Sequence, residues 1–130
     1  MADQIDLGDA VGAAENGSIQ RLTLYIPSRD REGSAFDPSP WIEEALMLLS
    51  RIGGGATAMP PADGAWLDPD HDTLVREKVV LAYTFVDPDR FEAMLPELRR
   101  FLHALGRETR QGEVVCEFDG VLFKIRNYDP

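Results

Sequence analysis

Two arginines that follow an apolar segment are the first residues in this chain that could bind a charged ligand. Arg29 and Arg31 come directly after a segment that ends at Pro27. Guanidinium groups in a loop held by a strand can bind a phosphate or a carboxylate through paired hydrogen bonds. The alternative is a hydrated loop whose charges partly neutralise each other, because exposed ion pairs add little stability.

A second charged loop, residues 106–113, could complete a cleft with these arginines. Glu77 lies at the mouth of the strongest predicted strand, and His103 precedes the loop by about one helical turn. A carboxylate and an imidazole could serve as base and proton shuttle. A histidine without a demonstrable partner is better interpreted as a residue of the helix surface or boundary. We assign no catalytic residue, and the candidate ligand-binding residues are Arg29, Arg31, Glu77, Arg107, Gln111 and Glu113.

An acidic segment could bind a divalent metal ion. Asp68, Asp70, His71 and Asp72 bring carboxylate and imidazole ligands together within residues 68–72. An EF-hand loop would need a glycine and a later glutamate at fixed positions, and neither is in place. We therefore interpret the segment as a solvated turn and predict neither a metal nor a cofactor.

Other residues with chemical potential fit structural roles better. Glycines 53–55 lie between a predicted helix and a strand with no lysine after them, which indicates a helix end and not a phosphate-binding loop. Cys116 is the single cysteine and alternates with apolar neighbours, which favours a buried thiol. Trp66 follows a glycine-rich turn, where we expect it to pack on the sheet edge; lining a pocket is the alternative. No serine lies in a Gly-x-Ser-x-Gly context.

The first half of the chain predicts a strand and a helix. Leu22, Leu24 and Ile26 alternate with polar residues, which is typical of a half-buried strand. A helix is predicted to open at Ser39, as its cap, and to end at the glycines of residues 53–55. Short strands are predicted at residues 56–59 and around Trp66.

The second half predicts a central strand, a helix and a hairpin. Residues 78–86 are almost uniformly apolar and rich in strand-forming side chains. The next helix is expected to stop at Gly106 and to kink or restart near Leu95, because Pro96 removes a helical hydrogen bond. The Asp119-Gly120 pair between two apolar segments predicts a β-hairpin.

The order of these elements predicts the fold class. It is α+β, a ferredoxin-like βαββαβ plait with an antiparallel sheet, an added C-terminal hairpin strand and two helices on one face. Residues 20–130 form the predicted domain. Residues 1–19, acidic and poor in apolar residues, form a predicted flexible N-terminal arm.

Composition excludes several classes of partner. The 130 residues include 44% hydrophobic and 28% charged residues, values typical of a globular chain. The net charge of −10 makes nucleic acid a poor default partner. The apolar segments are too short to span a bilayer, the N-terminus does not resemble a secretory signal, and a single cysteine suits a cytoplasmic location.

Several short segments together resemble a family of small, largely uncharacterised bacterial proteins with a ferredoxin-like plait. The resemblance covers most of residues 22–129, leaves the N-terminal arm outside and implies a fold more than a function. Its motifs are G-G-A-T at 54–57, G-x-W at 64–66, R-E at 76–77 and L-G-R-E-x-x-Q-G-E-V at 105–114, with residues 26–33 beside them.

An acidic surface without a catalytic motif favours a non-enzymatic protein-binding or regulatory module. Such a protein would be an accessory component of a bacterial defence, toxin–antitoxin or mobile-element system, with a protein partner and self-association through a sheet edge. The alternative is a small enzyme or small-molecule-binding domain whose polar cleft lies at the rim of the sheet.

Overall fold

The alternating segment around Leu24 forms the central strand of the sheet. In this computed structural model, which describes residues 5–15 and 17–130, β1 spans Arg21–Pro27. Leu22, Leu24 and Ile26 are at most 1% exposed, and Thr23 and Tyr25 project from the opposite face because side chains alternate along a strand. The apolar side of β1 thus fixes which face of the sheet carries the core.

The sheet has six strands, and each observed strand pair is antiparallel. Its order is β2-β4-β1-β5-β6, and β3 pairs with the first half of β4. The five strands besides β1 are β2 Thr57–Ala58, β3 Ala62–Asp68, β4 Thr73–Phe85, β5 Val114–Phe118 and β6 Val121–Ile125.

Two long helices cover one face of this sheet and enclose the core. They are α2, Ser39–Gly53, and α3, Pro88–Glu108; a single-turn helix, α1, spans Leu7–Ala10. Leu49 of α2 and Leu105 of α3 are fully buried in one cluster with the inward side chains of β1, β4 and β5. The predicted ferredoxin-like α+β class, with two helices on one face and an added hairpin strand, is confirmed.

The start of α2 differs from the prediction in its cap. Pro38 is the cap residue, and Ser39 already belongs to the helix. The Ser39 backbone N–H donates to Asp37 Oδ1 at 3.0 Å, so the aspartate satisfies one of the free backbone donors of the first helical turn. The helix ends as predicted, at Gly54 in a left-handed conformation with φ 90°.

Helix α3 is longer than predicted and continues through Pro96. It ends at Glu108, with Thr109 as its cap, and not at Gly106. Buried residues after the proline, Phe101 and Leu105 among them, hold the second half against the core, and the partly buried Phe91 and Met94 hold the first. This packing offsets the missing hydrogen bond. Gly106 has a packing role, since a Cβ atom there would lie 2.1 Å from the Tyr128 ring.

Two of the predicted turns form the tips of β-hairpins. Strand β4 begins at Thr73, so the acidic segment 68–72 forms the tip of the β3–β4 hairpin. The Asp119-Gly120 pair turns between β5 and β6 with positive φ at both residues, which confirms the predicted hairpin. Strand β6 ends the path of the sheet on one side, and the predicted pairing through a sheet edge stays a prediction.

The described part of the N-terminal arm is a single exposed turn. The Asp6 carboxylate accepts the Asp9 backbone N–H at 3.1 Å, and α1 has no buried residue. Residues 1–4 and Asn16 lie outside the described residues, and the flexible arm of residues 1–19 stays a prediction. Among the described residues no helix has the length and apolarity needed to cross a membrane.

The close approach of α2 to β4 gives a test of the packing. A Cβ atom at Gly53 would lie 2.0 Å from Thr84 Oγ1 and 2.4 Å from the Phe85 carbonyl oxygen. We expect Gly53→Ala to lower the free energy of unfolding by about 2 kcal/mol or more, although helix propensity alone favours alanine by about 1 kcal/mol. Urea denaturation measures the change.

Gly55→Ala is the matched control, because no atom lies within 4 Å of a Cβ there. It should change the free energy of unfolding by no more than about 0.5 kcal/mol. Equal effects of the two substitutions would contradict the close contact between α2 and β4.

Candidate functional site

A cleft of about 740 Å³ lies on the face of the sheet that the helices leave bare. Its floor comes from the outward side chains of β1, β3 and β4, and its walls from the loop after β1 and the loop before β5. We call it the sheet cleft. The residues that line it include Tyr25, Arg29, Arg31, Trp66, Glu77 and Glu113.

The register of β3 and β4 places a glycine opposite Glu77. Gly64 lies directly opposite Glu77 in the antiparallel pair. A Cβ atom at Gly64 would lie 3.3 Å from Val79 Cγ1 and 3.4 Å from the Glu77 carbonyl oxygen, which is tighter than ordinary contact. The close packing of Val79 therefore favours glycine at this position.

Glu77 is the most unusual charged group of the sheet cleft. Its Oε2 atom is buried and has no hydrogen-bond partner among the described residues. Burial raises the pKa of Glu77 above its ordinary value, and the backbone N–H groups of Ser28 and Arg29, with the Arg29 charge, offset only part of that rise. A carboxylate of this kind is a better proton acceptor than a solvated one, and Arg29 is the cation that partly compensates its charge.

The two cleft loops are fastened to each other by hydrogen bonds. Gln111 is only 8% exposed, and its Nε2 donates to the Arg29 carbonyl oxygen at 2.8 Å. The Arg31 backbone N–H donates to the Arg110 carbonyl oxygen at 3.0 Å. Residues far apart in sequence thus form one connected wall of the sheet cleft.

Three charged side chains complete the rim of the sheet cleft. Arg29 Nη1 donates to the Gly33 carbonyl oxygen at 2.9 Å, so part of this guanidinium holds its own loop. Glu113 accepts from Arg126 Nε at 3.0 Å. Arg31 is exposed and lines the cleft, which makes it the cation best placed to meet an anionic group of a ligand.

The structure brings together five of the six candidate ligand-binding residues and leaves out Arg107. Arg107 Nη1 donates to the Asp129 carbonyl oxygen at 2.7 Å. His103, predicted to lie at the surface or boundary of the helix, is instead buried: it is 6% exposed, and its Nδ1 accepts the Asp129 backbone N–H at 2.8 Å. The C-terminal segment binds both side chains, so neither serves the sheet cleft.

Two aromatic residues of the sheet cleft were not among the candidates. Trp66 is 51% exposed and lines the cleft, as Tyr25 also does, so the expectation that it packs on the sheet edge is wrong and the alternative, lining a pocket, holds. The period-2 alternation of β3 and β1 is the signal that could have placed both side chains on the bare face.

Asp68 of the acidic turn lines the sheet cleft, and its carboxylate is held within the turn. His71 Nδ1 lies 2.8 Å from Asp68 Oδ2, and the same aspartate accepts the Asp70 backbone N–H. Across residues 5–15 and 17–130, no three His, Cys, Asp or Glu side chains are arranged to hold a metal ion. Cys116 is buried, and burial raises the pKa of its thiol.

Comparisons with known proteins identify a related fold. Neither a family model nor a curated protein matches this chain. The chain is similar to a phage SAM lyase in complex with S-methyl-5′-thioadenosine, with a TM-score of 0.60 and 13% identity over 86% of this chain and 92% of that chain. It is also similar to a phage SAM lyase in the apo state, with a TM-score of 0.59 and 14% identity over 88% of this chain and 93% of that chain.

Both matched structures are of an enzyme. This finding contradicts the prediction of a non-enzymatic protein-binding or regulatory module and favours its alternative, a small enzyme with a polar cleft. The resemblance to a family of small bacterial proteins and the expected protein partner stay predictions.

The burial of Glu77 predicts a pH-dependent stability. Because its folded-state pKa is raised, the folded protein holds this proton more tightly than the unfolded chain, and stability falls as pH rises from the ordinary glutamate pKa through the folded value. We expect Glu77→Gln to resist urea better than the wild type at about pH 7 and to lose this advantage near pH 4.

Glu92→Gln removes the same charge from an exposed position on α3, outside the sheet cleft, and serves as the control. Its stability should stay within about 0.5 kcal/mol of the wild type at both pH values. A Glu77→Gln variant that shows no gain at neutral pH would contradict the desolvation of this carboxylate.

Proposed function

We propose that this chain is a small enzyme that binds S-adenosylmethionine (SAM) in the sheet cleft and cleaves a carbon–sulfur bond of its sulfonium group. The product would be S-methyl-5′-thioadenosine. The observation that carries the proposal is the Glu77 carboxylate, whose buried Oε2 atom has no hydrogen-bond partner within residues 5–15 and 17–130. The fold shared with the phage SAM lyase supports the choice of substrate.

The charge of the substrate complements Glu77. A sulfonium group is a permanent cation that cannot donate a hydrogen bond, so it suits an oxygen that lacks a donor. A partly buried carboxylate costs free energy while its charge is only partly compensated, and its attraction to a cation is stronger there than in water. SAM also has a net positive charge, which the net charge of −10 on this chain attracts at long range.

The aromatic residues of the sheet cleft suit the nucleoside part of SAM. Trp66 and Tyr25 present ring surface on the bare face of the sheet. Adenine is planar and favours stacking on such rings, and a sulfonium is attracted to the negative face of an aromatic ring. Either ring gives the cleft a surface on which adenine can stack.

The reaction needs a way to release sulfur without adding water. When the bond between sulfur and the amino-acid carbon breaks, sulfur keeps the electron pair and leaves as a neutral thioether. Glu77 would remove a proton from the neighbouring carbon, and that C–H electron pair forms the new double bond of the amino-acid fragment. The raised pKa of Glu77 strengthens it as this base.

Incubation of the purified protein with SAM tests the activity directly. Liquid chromatography with mass spectrometry should detect S-methyl-5′-thioadenosine together with a four-carbon amino-acid fragment whose vinyl protons appear in the proton NMR spectrum. We expect Glu77→Gln to lower kcat by about 100-fold or more, since a positioned general base contributes rate factors of that order.

Glu92→Gln should keep the wild-type rate, because Glu92 lies on α3 outside the sheet cleft. The proposal fails if the wild-type protein releases no thioether from SAM and SAM also leaves its melting temperature unchanged. A product without vinyl protons would instead indicate that the carboxylate of the substrate itself supplies the electron pair that displaces sulfur. Glu77 would then not act as the base.

Arg31 gives a prediction about substrate binding. An exposed guanidinium at the rim can pair with the carboxylate of the methionine part of SAM. We expect Arg31→Gln to raise KM for SAM by about 10-fold with little change in kcat, because a hydrogen-bonded ion pair contributes about 1.5–3 kcal/mol. Steady-state kinetics measures both constants.

The control for this prediction is chemical as well as genetic. A SAM analogue without the carboxylate should bind the wild type and Arg31→Gln equally well. Arg51→Gln, an exposed position on α2 at the other face of the sheet, should leave KM unchanged. Equal KM values for SAM in Arg31→Gln and wild type would exclude this contact.

A further inference from the structure

We propose that Gln111 is a positioning residue that holds the Ser28–Arg29 segment against Glu77. The inference rests on the proposed function where it concerns catalysis. Its structural part, the link from Gln111 to the Glu77 carboxylate, is independent of the substrate. A chain of hydrogen bonds joins the buried amide to the segment beside the carboxylate.

The Gln111 amide nitrogen is fully used inside the protein. Its Nε2 lies 2.8 Å from the Arg29 carbonyl oxygen and 3.1 Å from Thr109 Oγ1. The side chain is buried, so these donors face protein acceptors and not a ligand. A primary amide has two N–H donors, and both have partners in this arrangement.

The segment that Gln111 holds is the one that faces Glu77. Arg29 and Glu77 line the same cleft, and the backbone N–H groups of Ser28 and Arg29 lower the pKa of Glu77 against the effect of burial. Ser28 Oγ donates to the Lys78 carbonyl oxygen at 2.6 Å, which attaches the same segment to β4 beside Glu77. The position of this backbone therefore depends on a strand contact on one side and on Gln111 on the other.

Gln111 is itself fixed from behind. The Tyr128 hydroxyl donates to the Gln111 carbonyl oxygen at 2.9 Å, and the Gln111 backbone N–H donates to the Gly106 carbonyl oxygen at 2.9 Å. Tyr128 also packs against Gly106, where a Cβ atom would overlap its ring. The C-terminal segment and the end of α3 thus support the amide that supports the cleft loop.

Loss of the Gln111 amide would leave the Arg29 carbonyl oxygen without its donor and free the segment to move. Glu77 would keep its burial and lose part of the positive potential from Ser28 and Arg29, so its pKa would rise further. The titratable and charged groups that line the cleft around it are Tyr25 of β1, Arg29, Asp30, Arg31 and Glu32 of the first loop, Asp68 of β3, Arg76 of β4 and Glu113 of the second loop.

The test is Gln111→Met, which keeps a long unbranched side chain and removes the donors. Carbon-13 NMR of the glutamate side-chain carboxyls reports the Glu77 titration, which Glu77→Gln assigns. We expect its pKa in Gln111→Met to lie about half a unit or more above the wild-type value. The acid limb of the pH–rate profile for thioether release should move in the same direction, and kcat should fall about 10- to 100-fold with a smaller change in KM.

Thr84→Val is the matched control, since it also removes a buried hydrogen bond from a side chain to a backbone carbonyl. Thr84 Oγ1 donates to the Gly55 carbonyl oxygen at 2.5 Å, on the core side of the sheet. This variant should lose stability and leave the Glu77 titration unchanged. Tyr128→Phe, a milder change, should shift the titration in the same direction as Gln111→Met and covers the case in which that variant does not fold.

The outcomes separate this inference from the proposed function. If the wild type releases no thioether, the NMR titration still measures the link between Gln111 and Glu77. Folded Gln111→Met and Tyr128→Phe variants with the wild-type Glu77 pKa would overturn the inference. Shifted titrations combined with an unchanged kcat in an active enzyme would also overturn the positioning role.

Discussion

The alternation of β1 is the constraint on which both the core and the sheet cleft depend. Leu22, Leu24 and Ile26 must face the helices, because their burial provides the centre of the hydrophobic core. The same period-2 geometry then directs Tyr25 to the bare face, and the strand ends where the arginine-bearing loop begins. A slip of one residue would exchange the two faces and remove the core and the cleft together.

The cost of Glu77 to stability supports an enzymatic role. A fold selected only for stability would place a bonded or apolar side chain at this position, because a buried carboxylate oxygen without a donor is unfavourable. Ferredoxin-like folds as such host many functions, so the argument for an enzyme rests on this site and not on the fold class.

Local patterns predicted the elements and the loops of the site well. The central strands, both long helices, the left-handed end of α2 and the Asp119-Gly120 hairpin follow from periodicity and turn chemistry. Arg29, Arg31, Glu77, Gln111 and Glu113 meet in one cleft because β1, β4 and β5 are neighbours whose ends face the same rim. A correct prediction of the strand order therefore also predicts that these residues lie together.

The remaining errors come from contacts that no local pattern records. Arg107 and His103 are bound by the backbone of Asp129, and backbone acceptors and donors have no sequence signature. Gln111 was predicted as a ligand contact, whereas its amide meets the Arg29 carbonyl oxygen, a group that every residue possesses. Helix α3 continues through Pro96 because buried residues on its C-terminal side pack on the sheet. In each case a partner distant in sequence decides the outcome, so the polar contacts around a cleft are harder to predict than the strands that form it.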